Sequence, residues 1–288
     1  MTGNDRVGSL YASIAMALMG SSVAVSSVIG RYPPLGGQAV RYALSAAALG
    51  VLLRARGAPP RPTRRGVLLL LALALTGLVG FNLFLLAALR YTDPAAVGVV
   101  VGCVPIALAL AGPITQRRRP HPRTLWAAVI VSVGAAVVVQ GAGAASLPGL
   151  LLSFGVLACE VAFSLLAVPL LPRLGPLALS TYVTALASVV LTLAAAIVDG
   201  AGALPAPTIA QAAVLGYLGL AATTCAFVAW YAGIGLMGVA RAGLLAGLAP
   251  ISTLLCSVAL GMDSLSPLRV LGVLMVGAGV TFGVSGKP

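Results

Sequence analysis

Charge is what this sequence has least of. Of 288 residues only 8% are charged, with 17 Lys plus Arg, 5 Asp plus Glu and a single His. A soluble domain carries about 25% charged residues, and no soluble fold of this length covers its surface with so few. A soluble enzyme and a disordered chain are therefore excluded. Cysteine offers no framework either. Cys103, Cys159, Cys225 and Cys256 all lie inside apolar runs with no CxxC pair, so they read as small packing residues. The one histidine, His121, sits in a basic loop, which leaves no zinc set, and no metal or cofactor is expected. No G-x-x-x-x-G-K-[ST] and no G-x-S-x-G occurs, so neither a nucleotide-driven pump nor an α/β-hydrolase chemistry is indicated.

What is present is apolar. Sixty per cent of the residues are hydrophobic, and the mean hydropathy is +1.10. The runs are continuous rather than alternating, so they predict membrane helices and not a barrel. A bilayer core of about 30 Å takes roughly 20 helical residues. Breaking the chain at charges, prolines and glycine clusters predicts ten spans: 8–29, 35–53, 66–89, 95–115, 124–141, 147–168, 177–198, 210–235, 240–261 and 267–285. The first run lacks a small-x-small cleavage site and is read as a retained helix.

The net charge of +12 maps onto one side. With the N-terminus in the cytoplasm, Arg6, Arg54, Arg56, Arg61, Arg64, Arg65, Arg117, Arg118, Arg119, Arg123, Arg173, Arg241 and Lys287 fall inside. Arg31, Arg41, Arg90 and Arg269 fall outside, with Asp93, Asp199 and Asp263. The positive-inside rule then places both termini in the cytoplasm of a multi-pass cell-membrane protein. The basic charge is explained without nucleic acid. The basic loops 54–65 and 117–123 are expected to meet anionic lipid headgroups.

The chain also repeats itself. An offset of 145 residues lays 77–141 over 222–286 without a gap. Gly98, Gly102, Pro105 and Ile106 fall on Gly243, Gly247, Pro250 and Ile251; Pro122 falls on Pro267, Gly134 on Gly279 and Gly141 on Gly286. Five helices per copy is an odd number, so the second copy enters the membrane from the other side. The expected fold is an all-α integral membrane protein, ten transmembrane helices as two inverted five-helix repeats (1–143 and 144–288) around a central cavity. Each copy carries G-x-x-x-G-x-x-P. Gly102 and Gly247 allow close helix approach, and Pro105 and Pro250 each remove a backbone hydrogen bond. They read either as plain packing or as kinks that line a cavity.

The stretches RYALSAAALGVLL (41–53), ALRYTDPAAVGVVVGCVPI (88–106), GVARAGLLAGLAPI (238–251) and GMDSLSPLRVLGVLMVGAGV (261–280) resemble, in turn, the second helix, the third-to-fourth join, the eighth-to-ninth join and the closing segment of a known permease group. That group is the EamA-like branch of the drug/metabolite transporter superfamily. The resemblance covers essentially the whole chain. It implies a ten-helix bundle with a central cavity, and relatives that export amino acids and other metabolites or move nucleotide sugars and sugar phosphates. Two positions depart from its pattern: QRRRPHPR (116–123) replaces an acid after the fourth helix, and Met19 stands where the first helix often carries Trp.

Glu160 is the only acid inside a predicted span. An ionised side chain at bilayer centre costs about 2.5–3.5 kcal/mol, so it should face the bundle interior. Ser153 and Ser164 share its helix face at spacings of seven and four. A buried carboxylate holds a proton more readily than one in water, which makes Glu160 the expected proton-coupling residue; the alternative is a protonated Glu with one structural partner. The ACEV context also resembles the first helix of small multidrug-resistance proteins, where an intramembrane Glu handles proton and cation. Asn82, Thr223, Phe227, Trp230 and Tyr231 complete the expected substrate cavity, against the alternative of interhelical glue and core. Arg41 and Arg269 are expected to snorkel or to pair with acids near the outer face, leaving no Lys or Arg in mid-membrane.

The function expected from these residues is a secondary transporter, not an enzyme. It exports small metabolites, amino acids or drug-like solutes by alternating access, coupled to protons through Glu160. Its partners are a small-molecule solute and the bilayer, as monomer or homodimer. A non-transporting scaffold or receptor and an intramembrane enzyme are the alternatives.

Overall fold

The computed structural model describes residues 3–30, 32–57, 60–140 and 146–285. Arg31, Gly141, Gly286, Lys287 and the expected 143/144 boundary lie outside the described residues. Among those described, all regular structure is helical. The stretches are α1 (Gly3–Ile29), α2 (Pro34–Ala55), α3 (Arg64–Ala88), α4 (Pro94–Thr115), α5 (Pro122–Val139), α6 (Leu147–Leu165), α7 (Leu171–Gly202), α8 (Ile209–Met237), α9 (Val239–Ala259) and α10 (Pro267–Val284). Nine are long and apolar enough to cross a membrane. The remaining one, α2, has 22 residues but is less apolar because Gln38 and Arg41 interrupt its first half.

The helix starts follow from their residues. Proline stands in the first turn of α2, α4, α5, α6, α7 and α10, where its missing N–H has no helical partner to lose. Thr63, Ser146, Thr208 and Ser266 cap α3, α6, α8 and α10 by accepting a backbone N–H three residues on. In α7 the chain turns once before Gly175, at φ 70°, and becomes continuous from Pro176.

Two kinds of irregularity recur at one spacing. Ala74–Gly80 in α3 and Tyr217–Cys225 in α8 are π-helical. In α4 the helix breaks at Gly102 and Cys103 before Pro105, and in α9 it tightens over Leu245–Gly247 before Pro250. Each pair is offset by about 145 residues, the register in which the G-x-x-x-G-x-x-P segments align.

Packing has the same reciprocity. α5 lies along α10, α2 along α7, and α4 against α9. α1 packs on α8 and α9, whereas α6 packs on α3 and α4. Small residues set these distances. A Cβ at Gly134 would lie 2.9 Å from the Gly272 carbonyl oxygen, and one at Gly272 would lie 2.8 Å from the Gly134 oxygen. The α5 and α10 backbones therefore touch, flanked by fully buried Val131, Ala135 and Val276.

Overpacking a tight contact costs about 1–3 kcal/mol. Gly134→Val or Gly272→Val should lower the melting temperature in detergent by several degrees. Gly277→Ala, where an added Cβ meets nothing within 4 Å, should leave it unchanged. Equal melting of all three would refute backbone contact between α5 and α10.

Candidate functional site

A cavity of about 420 Å³ lies between α1, α4, α5, α6 and α9, with Phe81 of α3 and Arg269 of α10 also on its wall. Such a volume suits a small organic molecule. Its walls are mostly apolar: Met16, Met19 and Gly20 from α1, Gly98, Gly102 and Pro105 from α4, and Ala246, Gly247 and Pro250 from α9. The two broken helices thus present their break points to one space. The backbone there keeps right-handed helical angles but tightens, and the prolines that follow each lack an N–H, a loss best placed beside a cavity.

Glu160 supplies one of the two carboxylates that line this cavity, the other being Asp263. It stands 13 residues into α6 from Leu147, about 20 Å along the axis at 1.5 Å per residue. Among the described residues it has neither a hydrogen-bond nor an ion-pair partner. Tyr42 and Tyr231 lie within electrostatic range of it.

At the other end of the cavity stand Asp263 and Arg269, which form an ion pair. Asp263 also accepts the Ser264 backbone N–H at 2.7 Å. The hydrogen bond from Arg269, then that from Ser264, hold the Asp263 carboxyl below its usual range. The pair therefore stays charged as pH rises from the ordinary carboxylate range, and is lost only in stronger acid. Arg269 keeps its Nε buried and, among the described residues, without a hydrogen-bond partner.

Of the residues chosen from sequence, Glu160, Gly102, Pro105, Gly247 and Pro250 line the cavity. Asn82, Ser164, Thr223, Phe227, Trp230 and Tyr231 do not; they form a buried layer beside it. Asn82 donates to the Leu78 carbonyl (2.7 Å) and to the Tyr42 hydroxyl (3.4 Å). The Trp230 indole donates to Ser164 Oγ at 3.2 Å. Phe163 packs between Phe227 and Tyr231, with ring centroids 4.9 and 5.1 Å away. The aromatic stripe of α8 is thus directed at α6 and α2, backing the wall that carries Glu160.

Arg41 departs from the sequence expectation. It is only 8% exposed, and its Nε donates to Thr223 Oγ1 at 2.5 Å. Rather than snorkelling, it enters the bundle between α2 and α8, so the interior does hold an arginine. Gln38, Arg41 and Ser45, at spacings of three and four, form a polar stripe that marks this face. Sequence reasoning also missed Met16, Gly20 and Phe81 on the cavity wall, because apolar residues in apolar helices give no signal.

Among the described residues the buried Tyr231 hydroxyl has no hydrogen-bond partner. An unsatisfied buried hydroxyl costs about 1–3 kcal/mol. Tyr231→Phe should therefore keep or raise the melting temperature in detergent, whereas Trp230→Phe, which breaks a hydrogen bond, should lower it. A fall in Tyr231→Phe would show that its hydroxyl is bonded.

Known proteins match this architecture from end to end. The model of the EamA-like transporter family matches residues 6–140 and again 147–284. The uncharacterized transporter YetK of Bacillus subtilis (strain 168) is 25% identical over 281 residues, covering 94% of this chain and 85% of that protein. The uncharacterized transporter YdeK of the same organism is 29% identical over 243 residues, 82% of each chain. One solved crystal structure shares the fold with a TM-score of 0.79 at 20% identity, over 96% of this chain and 95% of that one. The chain belongs to the EamA-like transporter family and is a multi-pass membrane transporter.

Proposed function

We infer that the protein is a secondary transporter that exports small metabolites, amino acids or drug-like solutes by alternating access, coupled to protons at Glu160. The observation that carries this reading is a carboxylate without a counter-charge in a cavity walled by two broken helices. Ionised and unpaired, it is costly in an apolar site. A proton or a cationic group relieves that cost, and the two relieve it in competition.

The alternating part rests on two inverted five-helix repeats, 1–143 and 144–288, arranged as ten transmembrane helices. Three features support it: the π-helical stretches in one register, the breaks in one register, and the exchange of packing partners between the halves. Two similar halves of opposite orientation exchange conformations, and each exposes the shared site to one side. With both termini in the cytoplasm of a cell-membrane protein, Asp263 and Arg269 mark the outer mouth. Arg241 and Asp5, 3.3 Å apart, then clasp α9 to α1 at the cytoplasmic end. This is an outward-facing form, and export requires the Asp5–Arg241 clasp to part and re-form in each cycle.

Comparing media of overexpressing and deletion strains by metabolomics identifies the solute. In proteoliposomes its flux should respond to an imposed pH gradient in the wild type. Glu160→Gln should lose that response and at least tenfold of the gradient-driven rate. Unchanged flux and pH response in Glu160→Gln would make Glu160 structural.

Orientation is read separately with a membrane-impermeant thiol reagent. Arg118→Cys should label only in inside-out vesicles and Ser264→Cys only in intact cells. The reverse pattern would invert the assignment of the mouth.

A further inference from the structure

A second hollow, of about 230 Å³, lies at the start of α3 and α7, away from the transport cavity. It is walled by Thr63, Arg65 and Gly66 on one side and by Pro169, Arg173 and Leu174 on the other. Its floor is apolar and its rim is cationic. The surrounding segment 54–65 holds five arginines, Arg173 adds a sixth, and neither 54–65 nor 166–176 contains an acid. Among the described residues none of the six has an ion-pair partner. A concave site with uncompensated positive charge and an apolar base selects an anion attached to an apolar body.

The hollow is held open by specific bonds. Arg173 Nε donates to the Arg61 carbonyl at 3.1 Å, and the Tyr182 hydroxyl donates to the Pro60 carbonyl at 2.9 Å. Both tie the segment before α3 onto α7. Among the described residues the Arg173 terminal nitrogens have no hydrogen-bond partner. The contrast with the start of α8 is informative. Thr208, 145 residues beyond Thr63, caps its helix in the same way, but there Gln211 completes the capping box and also donates to the Ile29 carbonyl at 3.3 Å. At the start of α3 the corresponding residue is Gly66. The side chain that fills the junction in one half is absent in the other, and the vacated space faces two arginines.

We propose that this hollow binds the phosphate of an anionic glycerophospholipid headgroup. Arg65 and Arg173 grip the phosphate oxygens above the apolar floor formed by Leu69, Leu170 and Leu174, while the acyl chains leave into the surrounding bilayer. The hollow stands where membrane-spanning helices begin, at the depth of the headgroup layer. Because one wall comes from each half of the chain, an occupied hollow fastens the two together.

The test uses the full-length chain, delipidated in a neutral detergent, with short-chain phosphatidylglycerol, phosphatidylcholine or inorganic phosphate. Melting temperature and lipid adducts in native mass spectra are read together. Phosphatidylglycerol should raise the melting temperature by several degrees and persist as a one-to-one adduct. Arg65→Gln/Arg173→Gln should weaken that binding at least fivefold, whereas Arg118→Gln/Arg119→Gln should bind as the wild type. Gly66→Gln keeps every charge and fills the hollow, so it too should lose the adduct. The proposal is overturned if Gly66→Gln and the Arg65/Arg173 variant both retain wild-type binding. It is also overturned if phosphatidylcholine or inorganic phosphate stabilises as well as phosphatidylglycerol.

Discussion

Inside a hydrocarbon layer, a backbone polar group without a partner is expensive, so a membrane helix breaks only where something else receives its backbone. α4 and α9 break in the middle of the bundle, ahead of Pro105 and Pro250. That constraint organises the rest. Pro105 and Pro250 each leave a carbonyl without its helical N–H, and both prolines line the cavity. Glycine at 98, 102 and 247 keeps the walls thin, and α1 closes the cavity with Met16 and Met19. The aromatic layer of Phe163, Phe227, Trp230 and Tyr231 packs behind the wall and fixes the orientation of α6, which carries Glu160.

Polar groups are distributed by the same rule. Asp5 with Arg241, and Asp263 with Arg269, sit as ion pairs toward opposite ends of the bundle, where each cost is shared between opposite charges. Arg41 is buried but bonded to Thr223, next to the π-helical turn of α8. Thr223 and Thr224 donate to carbonyls five residues back, at 2.8 and 2.9 Å, so the irregular turn satisfies itself locally. Glu160 alone among these carboxylates lines the cavity without a partner among the described residues, and the proposed coupling role rests on that observation.

Much of this was legible in the sequence. The helix edges fell within a few residues of prolines and capping hydroxyls, which are local signals. The break points of α4 and α9 were legible as the twice-written G-x-x-x-G-x-x-P, and Glu160 as the lone acid in a span. The α8 stripe was read as cavity wall or as core, and it is buried behind the wall; periodicity reports a buried face and not what lies behind it. Arg41 was misplaced because hydropathy treats an arginine near a helix start as a headgroup anchor; its burial depends on a tertiary partner, Thr223, 182 residues away. The hollow at Gly66 was visible only once the starts of α3 and α8 were compared in space.

The central claim is that protonation of Glu160 biases the exchange between the two facing states of the cavity. Spin labels at Ala95→Cys and Met262→Cys, in a background with the four native cysteines replaced by alanine, report the width of the mouth by double electron–electron resonance. The account expects two distance populations whose ratio shifts with pH, and a ratio that no longer responds to pH in Glu160→Gln. A single distance at every pH, or an undiminished pH response in Glu160→Gln, would contradict it.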